Sequence, residues 1–186
     1  MNRVLLKLWR IGDGLYSRVR RFDFEDRWGT NVFRVRVRPY VGPTVALPGG
    51  EVVRGGDVVG ILHLYNLRLQ EMLQEIKSEN RRVLMVKREV QRSLPQLAEF
   101  VRSHPRGQRI KALVGVTLLT RGVEPLGFIV TPLEDTAWYR FKNWYMRLFV
   151  RLCHPDGGRR LKGKKQPMRL KRIVLSLEEL YGRYNA

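Results

Sequence analysis

A single cysteine, Cys153, stands among 186 residues, so neither an intrachain disulfide nor a cysteine-based zinc site can form. That fits a reducing compartment. Acidic residues are also scarce: 17 Asp and Glu face 36 Lys and Arg, for a formal charge of +19 and a pI near 11.0. Such a field favours anionic partners, whether nucleic acid, acidic lipid or acidic polymer, and says nothing of fold. No apolar run approaches the ~20 residues of a membrane span. The opening "MNRVLLKLWRIGDGLYSRVRRF" begins like a signal peptide, yet Lys7 and Arg10 break it and no small-residue cleavage site follows. The reading is a cytoplasmic protein, soluble or peripheral on the inner face of the membrane. No G-x-G-x-x-G, P-loop, H-E-x-x-H or G-x-S-x-G pattern occurs. Three separated histidines make no metal site, and no cofactor is expected.

What is present points to one α+β domain over residues 1–186, with an antiparallel or mixed sheet packed against several helices. Residues 3–20 fit a helix with Val4, Leu8, Ile11, Leu15 and Val19 on one stripe and Lys7, Arg10, Arg18 and Arg21 opposite. Docking on the domain's own core is the first reading of that stripe, and an acidic membrane surface the second. A β-meander spans 22–66. "NVFRVRVRPY" alternates strictly, and Pro48-Gly49-Gly50 and Gly55-Gly56-Asp57 read as turns around a short strand at 51–53. Val58–Tyr65 forms a longer strand. Residues 67–104 read as helices, capped by Asn66 and broken between Asn80 and Arg81. Pro95 either kinks the second helix or starts a new one behind Ser93. Within 110–186, "IKALVGVTLLT" suits a central strand covered on both faces, and "LGFIVTPL" is expected to pair with it. A basic helix, a basic loop and the strand "LKRIVLS" follow. The last helix opens on a capping box of Ser176 and Glu179, stapled by Leu175 and Leu180.

The charge is concentrated. Residues 1–21 carry six basic residues against Asp13, and 137–172 carry twelve against Asp156. In "TAWYRFKNWYMRLFVRLCH", Arg140, Trp144, Arg147 and Arg151 share a narrow stripe, and Trp138 and Phe141 fall in the wide apolar remainder. A core-packing helix with a solvated arginine face is one reading; an interfacial or anion-binding helix is the other. The tract "GGRRLKGKKQPMRLKR" adds Arg159, Arg160, Lys162, Lys164 and Lys165, which suit either phosphate contact or a solvated loop. Arg34, Arg36 and Arg38 form a row that is either a solvated sheet face or an anion groove. Nothing provides a nucleic-acid reading element, so such binding would be non-specific.

"GDVVGILHLYN" poses the one catalytic question. Strand parity points His63 and Asn66 oppositely, and Asp57 lies about 20 Å from His63 along an extended chain, so an Asp57-His63-Asn66 triad is geometrically poor. In the simpler reading, Asp57 closes a turn, Asn66 caps a helix and His63 is a hydrogen-bonded, partly buried side chain. His63 alone remains a weak catalytic candidate.

"VFRVRVRPYVG", "LPGGEVVRGGDVVGILHLYN" and "SLEELYGRY" together resemble the YkoP family of bacterial proteins, whose pattern is matched at Gly56, Asp57, His63 and Asn66. Pro48-Gly49 departs from it only in a turn. The resemblance implies a companion of polysaccharide deacetylases linked to the cell envelope, with no catalytic residues to carry over. The expected function is a non-catalytic accessory module whose basic surface meets acidic lipid or a polyanionic glycopolymer. Its alternatives are a non-specific nucleic-acid binder and an enzyme centred on His63.

Overall fold

The computed structural model describes residues 14, 17–26, 28–73, 76, 78–118, 120, 122–153 and 169–184, the side chains of 79, 145 and 147–153 excepted. In chain order the strands are β1 (Phe24–Glu25), β2 (Phe33–Pro39), β3 (Val45–Ala46), β4 (Val52–Val53), β5 (Val58–Leu64), β6 (Ala112–Thr117), β7 (Ile129–Pro132) and β8 (Lys171–Ser176). The helices are α1 (Asn66–Leu73), α2 (Glu79–Ser103), α3 (Ala137–Cys153) and α4 (Leu177–Tyr184). Six strands form one sheet, ordered β1-β2-β5-β6-β8-β7, and β3 with β4 forms a separate hairpin. Among the described strands, only β5 with β6 is parallel. A parallel pair needs a crossover, and α1 with α2 supplies it. The chain is thus α+β with a mixed sheet.

The N-terminal meander forms as its alternation dictates, with β3–β4 inserted between β2 and β5. Gly56 sits at φ 91°, a conformation that L side chains resist. There Asp57 closes the turn by accepting from Arg54 N–H at 2.8 Å.

Phe33, Val35 and Val37 of β2 point to the same face as Leu62, Leu113, Ile173 and Leu175. The stripe Val90, Leu94, Leu97, Ala98 and Val101 of α2 covers that face, together with Leu180 of α4. Each fully buried Leu or Val contributes about 1.5–3 kcal/mol. Ser176 Oγ accepts from Glu179 N–H at 3.1 Å, which is the serine half of the capping box, and Leu175 and Leu180 are both fully buried, as the staple requires. The Glu179 carboxylate pairs with Arg183.

Several expectations are corrected. The helical break lies earlier than Asn80: α2 starts at Glu79 behind Ser78, whose hydroxyl accepts from Arg81 N–H. The helix then runs on through Pro95 and does not restart. Asn66 is the first residue of α1, not its cap, because the Tyr65 carbonyl already accepts from Leu69 N–H. Residues 129–132 pair with β8, not with β6. The connection from β6 buries Val123, Leu126 and Phe128, and β8 takes the position beside β6. In the N-terminal helix, only Gly14 and residues 17–20 are described as helical. There Val19 is 73% exposed and Ser17 is buried, so the expected apolar stripe does not face inward at that end.

Asn31 ties the start of β2 to the middle of α2. Its Nδ2 donates to Ser93 O and Gln96 Oε1, and its Oδ1 accepts from Phe33 N–H. The Asn31→Ala variant should lose about 1–3 kcal/mol, because Phe33 N–H and the Ser93 carbonyl lose buried partners. Urea denaturation should show a lower midpoint at unchanged slope.

Candidate functional site

The second face of the sheet divides in two. Its lower half is apolar, with Val59, Ala112, Val114 and Val174 packed under Tyr40 and the β3–β4 residues Val45 and Val53. Its upper half is polar. Register places Arg34 opposite His63 and Arg36 opposite Ile61, while Arg172 stands opposite Val116 on one side and Thr131 on the other.

Arg34 is 2% exposed, which corrects the reading of a solvated arginine face. Its Nε lies 2.7 Å from Glu25 Oε1, and its guanidinium stacks 3.7 Å from the Tyr65 ring centroid. Ser17 Oγ donates to Glu25 at 2.6 Å, so the N-terminal helix is fastened to this pair. Arg36 is half-buried. Arg38 is more exposed and lies 4.0 Å from Asp23. His63 meets the edge of the Phe22 ring at 5.3 Å between centroids. Burial pushes its pKa down to about 4, helped by the positive charges of Lys142, Arg20, Arg36 and Arg34. Lys142 is likewise lowered, first by burial and then by Arg20. Two basic groups are therefore pushed toward their neutral forms, by burial first and by neighbouring positive charge second.

Lys142 belongs to α3, which approaches this polar half. Thr136 starts that helix by accepting from Tyr139 N–H. Asn143 Oδ1 accepts from Leu170 N–H at the foot of β8. Tyr139, Lys142, Asn143 and Met146 are half-buried, whereas Trp138, Phe141 and Trp144 are 62%, 56% and 60% exposed. Among the described side chains of α3, Tyr139, Lys142, Asn143 and Met146 turn inward, and Trp138, Phe141 and Trp144 face water together with Arg140. The core-packing reading of the helical wheel, one of two, puts Trp138 and Phe141 on the core side; their exposure goes against it, and the polar sheet face beneath explains why.

A family model for the YkoP domain matches residues 2–184. The chain belongs to the YkoP family. It is 34% identical over 155 residues to "Uncharacterized protein YkoP" of Bacillus subtilis (strain 168), covering 83% of this chain and 80% of that protein. No solved structure matches.

The YkoP marks are not gathered into one site. Gly56 and Asp57 lie at the start of β5, where Asp57 pairs with Lys111 Nζ at 3.0 Å. That carboxylate is held below its usual pKa by the Arg54 N–H and by Lys111. His63 lies near the other end of β5 and Asn66 opens α1, so no Asp-His-Asn triad is assembled. His104 ends α2 and accepts from Arg106 N–H at 3.1 Å. Arg18 and Arg140 are exposed. Arg147 and Arg151 lie on α3 with only their backbones described, and Arg10, Arg159, Arg160, Lys162, Lys164 and Lys165 lie outside the described residues. Among the described residues, no three His, Cys, Asp or Glu side chains gather as a metal site, and no helix is long and apolar enough to cross a membrane. Sequence reasoning missed Lys142, Thr131 and Arg172. For Arg172 the signal was present, because parity in "LKRIVLS" puts it on the same face as buried Val174.

The His63 environment sets a pH dependence. Between the ordinary pKa of 6.5 and the folded value of about 4, the unfolded chain takes up a proton that the folded chain refuses. This contribution is complete above pH 6.5 and is lost as pH falls toward 4, by about 2–3 kcal/mol. His63→Phe should flatten the stability profile in that window, and the His63 ring signals should titrate near 4 by NMR. Titration near 6.5 would contradict the burial.

Proposed function

We propose that the chain is a non-catalytic accessory module that docks on an acidic membrane surface, at the inner face of a bacterial cell, in the envelope-polysaccharide setting its family resemblance implies. The observation that carries this reading is the outward row Trp138, Phe141 and Trp144. Their ring centroids are spaced 6.2 and 6.0 Å apart, and all three are more than half exposed. Single exposed apolar residues need no explanation, but a contiguous aromatic row does. Tryptophan and phenylalanine on a basic helix suit the boundary between headgroups and acyl chains. The surrounding charge adds attraction of about 1 kcal/mol for each Lys or Arg near an anionic surface. Arg140 lies on the same helix, paired loosely with Asp135 at 3.6 Å.

Co-sedimentation with vesicles tests the proposal. The protein should bind phosphatidylcholine vesicles containing phosphatidylglycerol, bind pure phosphatidylcholine poorly, and weaken as salt rises. The triple change Trp138→Ala, Phe141→Ala, Trp144→Ala should reduce that binding at least about tenfold. Equal, negligible binding to both vesicle types would remove the reading. Loss of single-stranded DNA or anionic-glycan binding in the triple variant, without vesicle binding in the parent, would replace lipid by that polymer.

A further inference from the structure

Between β7, β8 and residues 40–44, the polar half of the sheet holds an arginine that lacks an anionic partner among the described residues. Arg172 is 3% exposed. Its Nη2 is sealed from solvent and has no hydrogen-bond partner, and among the described residues no carboxylate lies within ion-pair distance of it. Directly opposite on β7, the Thr131 hydroxyl oxygen is also sealed and unpartnered. Side chains directly opposite in an antiparallel pair stand roughly 5 Å apart, so these two unsatisfied groups are neighbours on one face. Leaving a buried guanidinium uncompensated is among the costliest arrangements in a fold.

The surroundings say which charge would satisfy it. The Arg172 guanidinium carbon lies 5.9 Å from the Tyr40 ring centroid. A Cβ at Gly42 would collide with the Tyr40 hydroxyl at 2.6 Å and press on Arg172 Nη2 at 3.2 Å, so the glycine lets the backbone approach both groups closely. The Tyr40 hydroxyl is committed to the Pro43 carbonyl at 3.0 Å. Burial is the first cause of the raised Tyr40 pKa, opposed by Arg172 and aided by the charges of Tyr139 and the exposed Glu134. Further along this sheet face, Arg36 Nε is sealed and unpartnered too. Among the described residues of this face, Arg36 Nε, Arg172 Nη2 and the Thr131 hydroxyl are all left without partners. A guanidinium fork and a hydroxyl suit an oxyanion, and the accumulated positive charge favours one of the phosphate class.

We propose that Arg172 and Thr131, beside Gly42 and Tyr40, form a seat for a phosphate-class oxyanion, either free phosphate or the headgroup of an acidic lipid. The Arg172 fork and the Thr131 hydroxyl donate to its oxygens. The seat does not rest on the membrane reading, since it requires nothing of the outward aromatic row.

Thermal unfolding and isothermal titration with inorganic phosphate, against chloride at matched ionic strength, test it. Phosphate should raise the midpoint saturably in the parent protein. Thr131→Val keeps the shape, removes the hydroxyl, and should weaken phosphate binding about tenfold or more, as loss of a charge-assisted hydrogen bond does. Arg172→Met should abolish the effect, while Lys171→Met, a neighbour on the opposite face, should retain it. If Arg172→Met fails to fold, Thr131→Val decides. A further arm uses phosphatidylglycerol vesicles: competition by phosphate, with vesicle binding lost in Thr131→Val, identifies the headgroup. Vesicle binding kept in Thr131→Val, with phosphate binding lost, identifies free anion. No saturable phosphate effect in the parent, or one equally strong in Thr131→Val and Lys171→Met, would overturn the seat.

Discussion

The Arg34–Glu25 pair is the contact on which the second face of the sheet depends. It joins β1 to β2 in nearly full burial, with Nε and Oε1 at 2.7 Å. Tyr65 stacks on one side of the guanidinium, Phe22 lies 5.4 Å from it, and Ser17 holds the carboxylate. Desolvating both charges is expensive, and their mutual attraction, the Tyr65 ring and the Ser17 hydroxyl act against that cost. Removing either partner would leave a buried charge, at about 3–5 kcal/mol. The pair thereby secures three separate segments at once: the N-terminal helix at Ser17, the Phe22 ring that meets His63, and the β5–α1 junction at Tyr65.

Once that face carries buried cations, the covering helix cannot be an ordinary amphipathic one. An apolar underside would leave Arg36, His63 and Arg172 facing hydrocarbon. The helix α3 instead turns Tyr139, Lys142 and Asn143 toward the sheet and leaves Trp138, Phe141 and Trp144 in water. The inner polarity and the outer aromatic row are thus two consequences of one constraint. A layer rich in donors lies beneath the helix and an apolar row lies above it, which is why anion recognition and surface docking arise in the same part of the molecule.

Local pattern made much of the fold legible. Strict alternation marked β2, an apolar run marked β5, glycine turns marked the short strand β4, and Ser176 with Glu179 marked the start of α4. Non-local choices were not legible. That β7 joins β8 follows from sheet order, to which residues 129–132 contribute no distinguishing pattern. The reversed α3 was hidden for the same reason: a helical wheel shows two faces, but which is inward depends on the sheet beneath. The arginine row of β2 looked like a solvated face because a charge is normally exposed. Glu25, nine residues before Arg34 in the chain and directly opposite it in the sheet, is what permits its burial. His63 was read correctly as partly buried, whereas the cations around it became visible only when β2, β5 and α3 were brought together.

The orientation of α3 is the central claim, and hydroxyl-radical footprinting of the free protein reads it residue by residue. Trp138, Phe141 and Trp144 should oxidise rapidly and Tyr139 and Met146 slowly, after correction for intrinsic reactivity. Rapid oxidation of Tyr139 and Met146 with protection of Trp138, Phe141 and Trp144 would show the helix turned the other way and would contradict the account.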